Sequence, residues 1–276
     1  MRTAVVGHVE WIEFLRVERV PVAGEIVHAS ERWEEAAGGG AAAAEQLQKL
    51  SGDGAFFTAV GSDEVGERAV RDLARGGLRV EASSRPGPTR RGVTHIDATG
   101  ERTITVVGER LSPHGADPLP WADLAQVDAL YFTAGDLAAL QAARKARVLV
   151  ATTRVFGLLV GSGVQLDALV GSSEDSTETC DPGLLDPPPR LVVWTRGKDG
   201  GTFIARGEEP RRFPAAPVPA PVVDRYGAGD AFAGALAFGL ARDEGAEPAL
   251  GLAARCGAAV LTGRGPYEGQ LGAADI

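Results

Sequence analysis

Val222-Val223-Asp224-Arg225-Tyr226-Gly227-Ala228-Gly229-Asp230-Ala231-Phe232 is the stretch that says most about this chain. A short β-like run gives way to Gly-Ala-Gly, and a helix then begins with an acidic residue in its first turn. Small residues there let backbone N–H groups approach a ligand, and the unpaired donors together with the helix dipole make an anion site. An aspartate beside such a site is out of place if holding an anion is the only task. It fits a reaction in which a hydroxyl is oriented, and its proton accepted, as a phosphoryl group arrives. The plainer reading, that Asp230 only favours the helix N-terminus electrostatically, would suffice for an isolated Gly-x-Gly-Asp. It accounts less well for the whole Asp-x-x-Gly-Ala-Gly-Asp string behind a β run near the end of the chain.

Outward from that stretch, β-rich runs alternate with helix-like segments, the pattern of βαβ units around a mostly parallel sheet. The runs predict core strands at Thr3–Gly7, Ala55–Val60, Val127–Phe132, Arg147–Ala151, Ala168–Gly171 and Leu191–Thr195. Helices are expected at Glu64–Gly76, Asp136–Arg144, Ala228–Ala241 and Glu247–Leu261, and from Gly38-Gly39-Gly40 to Gly52. Two segments break the rhythm. Residues 8–30 and 90–107 are strand-like and punctuated by Gly, Pro and charge, and the second reads as a hairpin turning at Ala98-Thr99-Gly100-Glu101. Strands outside the main sheet suggest a β lid over a cleft, or else two edge hairpins with no gating role. Pro-rich 186–189 and 210–221 read as loops within one fold, so the whole of 1–276 is expected to be one domain.

The 276 residues carry a net charge of −9, with 44% hydrophobic and 24% charged residues. That balance suits a soluble protein with a substantial core and argues against one that coats nucleic acid. No apolar run approaches the ~18 residues of a membrane span, and no targeting segment is evident. Cys180 and Cys256 match no zinc or redox spacing, which suits reduced thiols in the cytoplasm. His8, His28, His95 and His114 lack metal-ligand spacing. Neither a Gly-x-x-x-x-Gly-Lys-Ser/Thr loop nor a Rossmann Gly-x-Gly-x-x-Gly is present.

The string Asp224–Asp230 resembles the second signature of the ribokinase-like, phosphofructokinase-B type carbohydrate kinases. Further segments resemble that family in order and spacing: Gly38-Gly39-Gly40 with Ala59–Gly66, Pro21-Val22-Ala23-Gly24-Glu25 of the lid, and the nucleotide loop Thr195-Arg196-Gly197-Lys198-Asp199-Gly200-Gly201. The resemblance implies a three-layer α/β/α domain with a small β lid, and ATP and Mg²⁺ as cofactors. Gly227, Ala228 and Gly229 then form the anion hole and Asp230 the base. Asp224, Thr195, Arg196, Gly197 and Gly200 fall to the nucleotide side, and Gly38, Gly39 and Gly40 to the acceptor. Close helix–sheet packing of small residues is an equal reading for Gly40 and Ala41. In some relatives a monovalent cation such as K⁺ and the adenine sit by a segment similar to Thr262–Gly265, and two subunits pair through the lid.

The pattern is also broken in places. An Asn that usually binds a substrate hydroxyl falls at Ala43, and an Asp that holds sugar hydroxyls falls at Ile12, flanked by Glu10 and Glu13. Losing designed hydroxyl partners alters specificity, so ribose itself is not the expected acceptor. The Asn-x-x-Glu that orders Mg²⁺ becomes Ser172-x-x-Asp175, or Gly171-x-x-Glu174 in a shifted reading, with helix capping as the alternative role. Arg225 stands where Thr is common. The expected activity is transfer of phosphate from ATP to a hydroxyl of a small sugar-like substrate. A nucleoside kinase is the alternative if Trp11, Ile12 and Phe14 line the acceptor site, and a catalytically silent sugar or nucleotide sensor is the alternative outside enzymes.

Overall fold

The computed structural model describes all residues 1–276. Nine strands form the main sheet: β1 (Thr3–Val6), β4 (Gly54–Gly61), β5 (Arg79–Arg85), β8 (Ala129–Phe132), β9 (Val148–Thr152), β10 (Ala168–Ser172), β11 (Leu191–Thr195), β12 (Gly201–Ala205) and β13 (Arg211–Phe213). Their spatial order is β13-β12-β11-β10-β9-β8-β1-β4-β5, parallel except for β12 and β13, which close one edge as antiparallel strands. The central strands are buried along their whole length, as a sheet covered on both faces requires. Period-two alternation separates the two faces. Val5, Phe56, Tyr131 and Val150 join a core shared with helices α1 (Gly39–Ser51), α5 (Ala228–Leu240) and α6 (Ala246–Val260). Val6, Phe57, Phe132 and Ala151 face a second core with α3 (Leu137–Ala143). The result is the three-layer α/β/α arrangement that the sequence implies.

Four strands stand apart as a small sheet in the order β3-β2-β6-β7: β2 (Glu10–Arg16), β3 (Glu31–Ala37), β6 (Arg91–Ile96) and β7 (Arg102–Val107). The 91–107 hairpin forms as its sequence predicts. The first lid segment differs. Residues 17–30 form no strand, and the partner of β2 lies at 31–37, beyond the expected boundary. Pro21 and Gly24 interrupt the chain, and the strand resumes only after them. Because β3 runs straight into Gly38 and α1, the lid and the glycine-rich helix start are one continuous segment.

α2 (Glu64–Ala74) starts on an Asp63 cap whose side chain accepts the Gly66 N–H at 2.9 Å. Asp63 also accepts the Thr89 N–H, pinning the entry to β6 against the helix start. The segment at 59–66 therefore braces the lid from behind.

Candidate active site

At the C-terminal ends of the parallel strands, the usual place for ligands in an open α/β sheet, two glycine-rich helix starts meet. Gly227 caps α5 with φ 81°, a left-handed conformation that favours glycine, and a Cβ there would come within 2.9 Å of Pro266. The first helical hydrogen bond runs from Ala231 N–H to Gly227 C=O at 2.9 Å. The amides of Gly227, Ala228, Gly229 and Asp230 therefore precede the ladder as free donors. A Cβ on Gly229 would find no atom within 4 Å, so this turn opens onto unfilled space.

Asp230 is half-buried in the first turn of α5, directly against the start of α1. The position a Cβ would take on Gly39 is 2.6 Å from Asp230 Oδ1, so glycine leaves room for the carboxylate. A Cβ on Gly38 would lie 3.3 Å from Glu10 Cγ and 3.4 Å from His8 Cδ2. Gly40 sits against the His8 backbone, 2.5 Å from its carbonyl oxygen by the same measure, and serves close packing. Burial raises the Asp230 pKa above the ordinary aspartate value. The positive charges of Arg154, Arg102 and Arg110 oppose that rise, while Glu178 adds to it.

Several residues on this roster are missing from the sequence reading. Arg154 follows β9 and donates to Glu178 at 2.7 Å. Glu178 is buried and also accepts from Thr153 Oγ1 at 2.9 Å and Ser172 N–H at 3.0 Å. Removing such a carboxylate strands its donors, which costs about 1–3 kcal/mol. Glu178→Ala is therefore expected to lower the urea unfolding midpoint while releasing Arg154; an unchanged midpoint would show that the network carries no stability. Its only trace in the sequence is a Glu three residues past Asp175, outside the resembling motif.

Some expected site residues lie elsewhere. Glu13 is on the opposite face of β2 from Glu10, because residues an odd number apart in a strand point to opposite sides. It pairs with Arg32 on β3. Ala43 is fully buried and packs on α5, where a Cβ on Gly234 would be 3.1 Å from the Ala43 carbonyl oxygen. It is a helix–helix contact. Asp224 is buried, with one oxygen accepting Tyr226 N–H at 2.8 Å and the other Gly265 N–H at 3.0 Å. It braces the signature loop against the C-terminal segment. Arg225 turns to Glu101 of the lid turn at 3.5 Å. Trp11 lies under Arg68, and Phe14 stacks on Trp33 with ring centroids 4.9 Å apart.

The residues expected on the nucleotide side lie at the end of β11 and in the turn after it. Thr195 ends β11, its Oγ1 donating to Gly171 C=O at 3.3 Å, and Ser173 N–H donates to Thr195 C=O at 2.9 Å. The Arg196–Gly200 turn closes with Arg196 N–H to Gly200 C=O at 2.7 Å. Glu174 stands beside it, 2.9 Å from where a Cβ on Gly197 would be. Asp175 is engaged otherwise: Oδ1 accepts Thr177 N–H and Oγ1, and Oδ2 is 3.6 Å from Arg154. Those bonds to Thr177 hold the Asp175 pKa down. No group of three or more His, Cys, Asp or Glu side chains forms a metal cage. The uncommitted Glu174 beside the nucleotide loop fits Mg²⁺ carried chiefly by phosphate oxygens and water.

A helix start with free amides and a carboxylate in its first turn, set against a second glycine-rich helix start, is an arrangement suited to phosphoryl transfer to a hydroxyl. Comparison with known proteins agrees. The model of the pfkB family carbohydrate kinases matches residues 2–157 and 158–271, and the chain belongs to that family. It is 28% identical to a fructokinase from Klebsiella pneumoniae over 82% of this chain and 87% of that one. It is 29% identical to an ATP-dependent ribose-1-phosphate kinase from Halopiger xanaduensis, over 94% and 91%. The structure of Arabidopsis thaliana ribokinase complexed with ribose and ATP shares the fold, with a TM-score of 0.76 at 20% identity, covering 99% and 96%. The protein is an ATP-dependent carbohydrate kinase.

Proposed function

We propose that the protein transfers the γ-phosphoryl group of ATP to a hydroxyl of a small sugar derivative, with Asp230 as the base. The observation that carries this reading is the Asp230 carboxylate lying against Gly39 at the start of α1, from the first turn of a helix whose leading amides are free. The acceptor oxygen attacks the γ-phosphorus and the bond from that phosphorus to the β–γ bridging oxygen breaks. ADP leaves, and the hydroxyl proton passes to Asp230. The amides of Gly227, Ala228 and Gly229 hold the equatorial oxygens, which supplies the charge stabilisation a loose transition state needs. Glu174 would help hold Mg²⁺ brought in with ATP, which would supply neutralisation of phosphate charge. Asp175 contributes by holding Arg154 rather than as a ligand.

The nucleoside alternative required aromatic or apolar faces open to a base. Ile12 and Phe14 are instead fully buried in a cluster with Tyr226, and Trp33 packs against it, so those faces are already filled. A panel of sugars, sugar acids, sugar phosphates and nucleosides, read by ADP release, tests the reading. Turnover on sugar derivatives is the expected result, and turnover confined to nucleosides would overturn it. The sensor alternative predicts nucleotide or sugar binding without turnover on any acceptor.

The lid also supports pairing of two subunits. β7 is an edge strand exposed along its whole length, and it carries Ile104, Val106 and Val107. Exposed apolar edges are usually covered in the working protein, and a second copy of this chain offers the matching strand. Light scattering on the purified protein is expected to give a dimer mass that Val106→Glu converts to a monomer. A wild-type monomer at micromolar concentration would overturn the pairing. No helix is long and apolar enough to cross a membrane; a cytoplasmic location is proposed because the reaction draws on ATP.

A further inference from the structure

Three arginines from three separate segments converge on the acceptor side of the cleft. Arg90 precedes β6, Arg110 follows β7, and Arg154 follows β9. Arg90 is anchored by its backbone, whose carbonyl accepts Trp11 N–H at 2.9 Å. Its Nε lies 3.3 Å from Glu10 Oε1 but off the hydrogen-bond direction, and is left buried without an acceptor. Gly108 lets the next segment approach, since a Cβ there would be 3.8 Å from Arg90 Cα. Arg110, two residues on, is exposed and makes neither an ion pair nor a hydrogen bond, and its charge acts with those of Arg90 and Arg154 on the same buried His8.

His8 reports the field at this spot. It is 7% exposed, and its Nδ1 is buried without a hydrogen-bond partner. Burial first, then Arg110, Arg90 and Arg154, press its pKa down to about 3, so the ring is neutral. The carboxylates around the same space are accounted for. Glu178 and Asp175 take Arg154, burial raises the Glu10 pKa against the pull of Arg90 and Arg110, and the Asp230 carboxylate lies against Gly39. Arg90 and Arg110 are left with hydrogen-bonding capacity that the protein does not use. An acidic group on the acceptor would meet two guanidinium forks. The Gly38 turn, which touches both His8 and Glu10, adjoins Gly39 and hence Asp230, so such a ligand would present a hydroxyl to the base from its far end.

We propose, on the basis of the kinase reading above, that the acceptor carries an acidic group, a phosphate ester or a carboxylate, and that Arg90 and Arg110 bind it. Matched pairs test this: ribose with ribose 5-phosphate, fructose with fructose 1-phosphate, and glucose with gluconate, each assayed for kcat and KM at saturating ATP. At least one charged member is expected to exceed its neutral partner in kcat/KM by about tenfold or more, as loss of a designed polar partner predicts. Preference within the phosphates or for gluconate identifies which acidic group it is. Arg110→Gln should cut the charged-to-neutral ratio by about tenfold through KM, with partial recovery in Arg110→Lys. Preference for neutral sugars, or a ratio that Arg110→Gln does not move, would overturn the proposal.

Calorimetric binding of ribose 5-phosphate and gluconate to Asp230→Asn separates this idea from the reading it rests on. Binding that Arg110→Gln abolishes, with the wild-type protein turning over no acceptor of the panel, would keep the acidic-ligand site and remove the phosphotransfer reading built on Asp230. Brisk turnover on neutral sugars alone, with no binding of either acid, would do the reverse.

Discussion

Asp230→Asn is expected to lower kcat by ~10²–10⁴-fold, the range for a positioned general base, while the thermal midpoint and the KM for ATP stay close to wild type. The amide keeps the shape of the side chain and its contact with the Gly39 turn but cannot take the acceptor's proton. The pH profile supplies the sign. Asp230 must be ionised to act, and burial raises its pKa above the ordinary value against the pull of Arg154, Arg102 and Arg110. Activity should therefore fall on the acid side at a pH above the ordinary aspartate range, and the residual activity of Asp230→Asn should lack that limb. A folded Asn variant turning over at a near-normal rate would remove Asp230 from the role of base.

Gly39→Ala isolates the same carboxylate without touching it. The new Cβ would fall 2.6 Å from Asp230 Oδ1 and 3.2 Å from Cγ, closer than real contacts permit. The obstacle is the end of a short side chain, so the carboxylate swings aside and the backbone stays. Gly39 is the first residue of α1, and it is the preceding Gly38 that holds φ 92°. Alanine at 39 thus adds no backbone strain and gains helix propensity worth up to ~1 kcal/mol over glycine in a helix interior. Stability should be equal or slightly higher, yet kcat should drop by roughly 10²-fold, the cost of a base displaced by about 1 Å. Unchanged kcat would mean that the Gly39 contact does not fix the position of the reacting group.

Much of the architecture could be read from the sequence because the cues were local. Six core strands and the helices after Gly38, Asp63 and Gly227 lie within a few residues of their expected positions, and the Asp224–Asp230 string marked the helix start beside Asp230. What escaped was the product of tertiary meeting. Arg90, Arg110 and Arg154 are separated by 20 or more positions and converge only when the small sheet folds over the strand ends. Glu178 is one carboxylate among several after β10, and nothing in its neighbours foretells that it will be the buried one.

Two misplacements have different causes. Glu13 was separable from Glu10 in principle, since strand parity alone puts them on opposite faces. Ala43 carried no such sign. It lies one helical turn beyond Gly39, and only the close approach of α5 at Gly234 decides which neighbour it meets. The lid boundary was missed because residues 17–30 carry enough apolar positions to look strand-like, although Pro21 and Gly24 break any ladder there.

The most direct test of the central claim is stoichiometric: the purified protein with ATP, Mg²⁺ and each acceptor of the panel, measuring ADP and phosphorylated acceptor in the same sample. The structure predicts acceptor-dependent formation of the two in equal amounts, abolished in Asp230→Asn. ADP that forms at the same rate without acceptor, or bound ATP that is never transferred to any member of the panel, would contradict it.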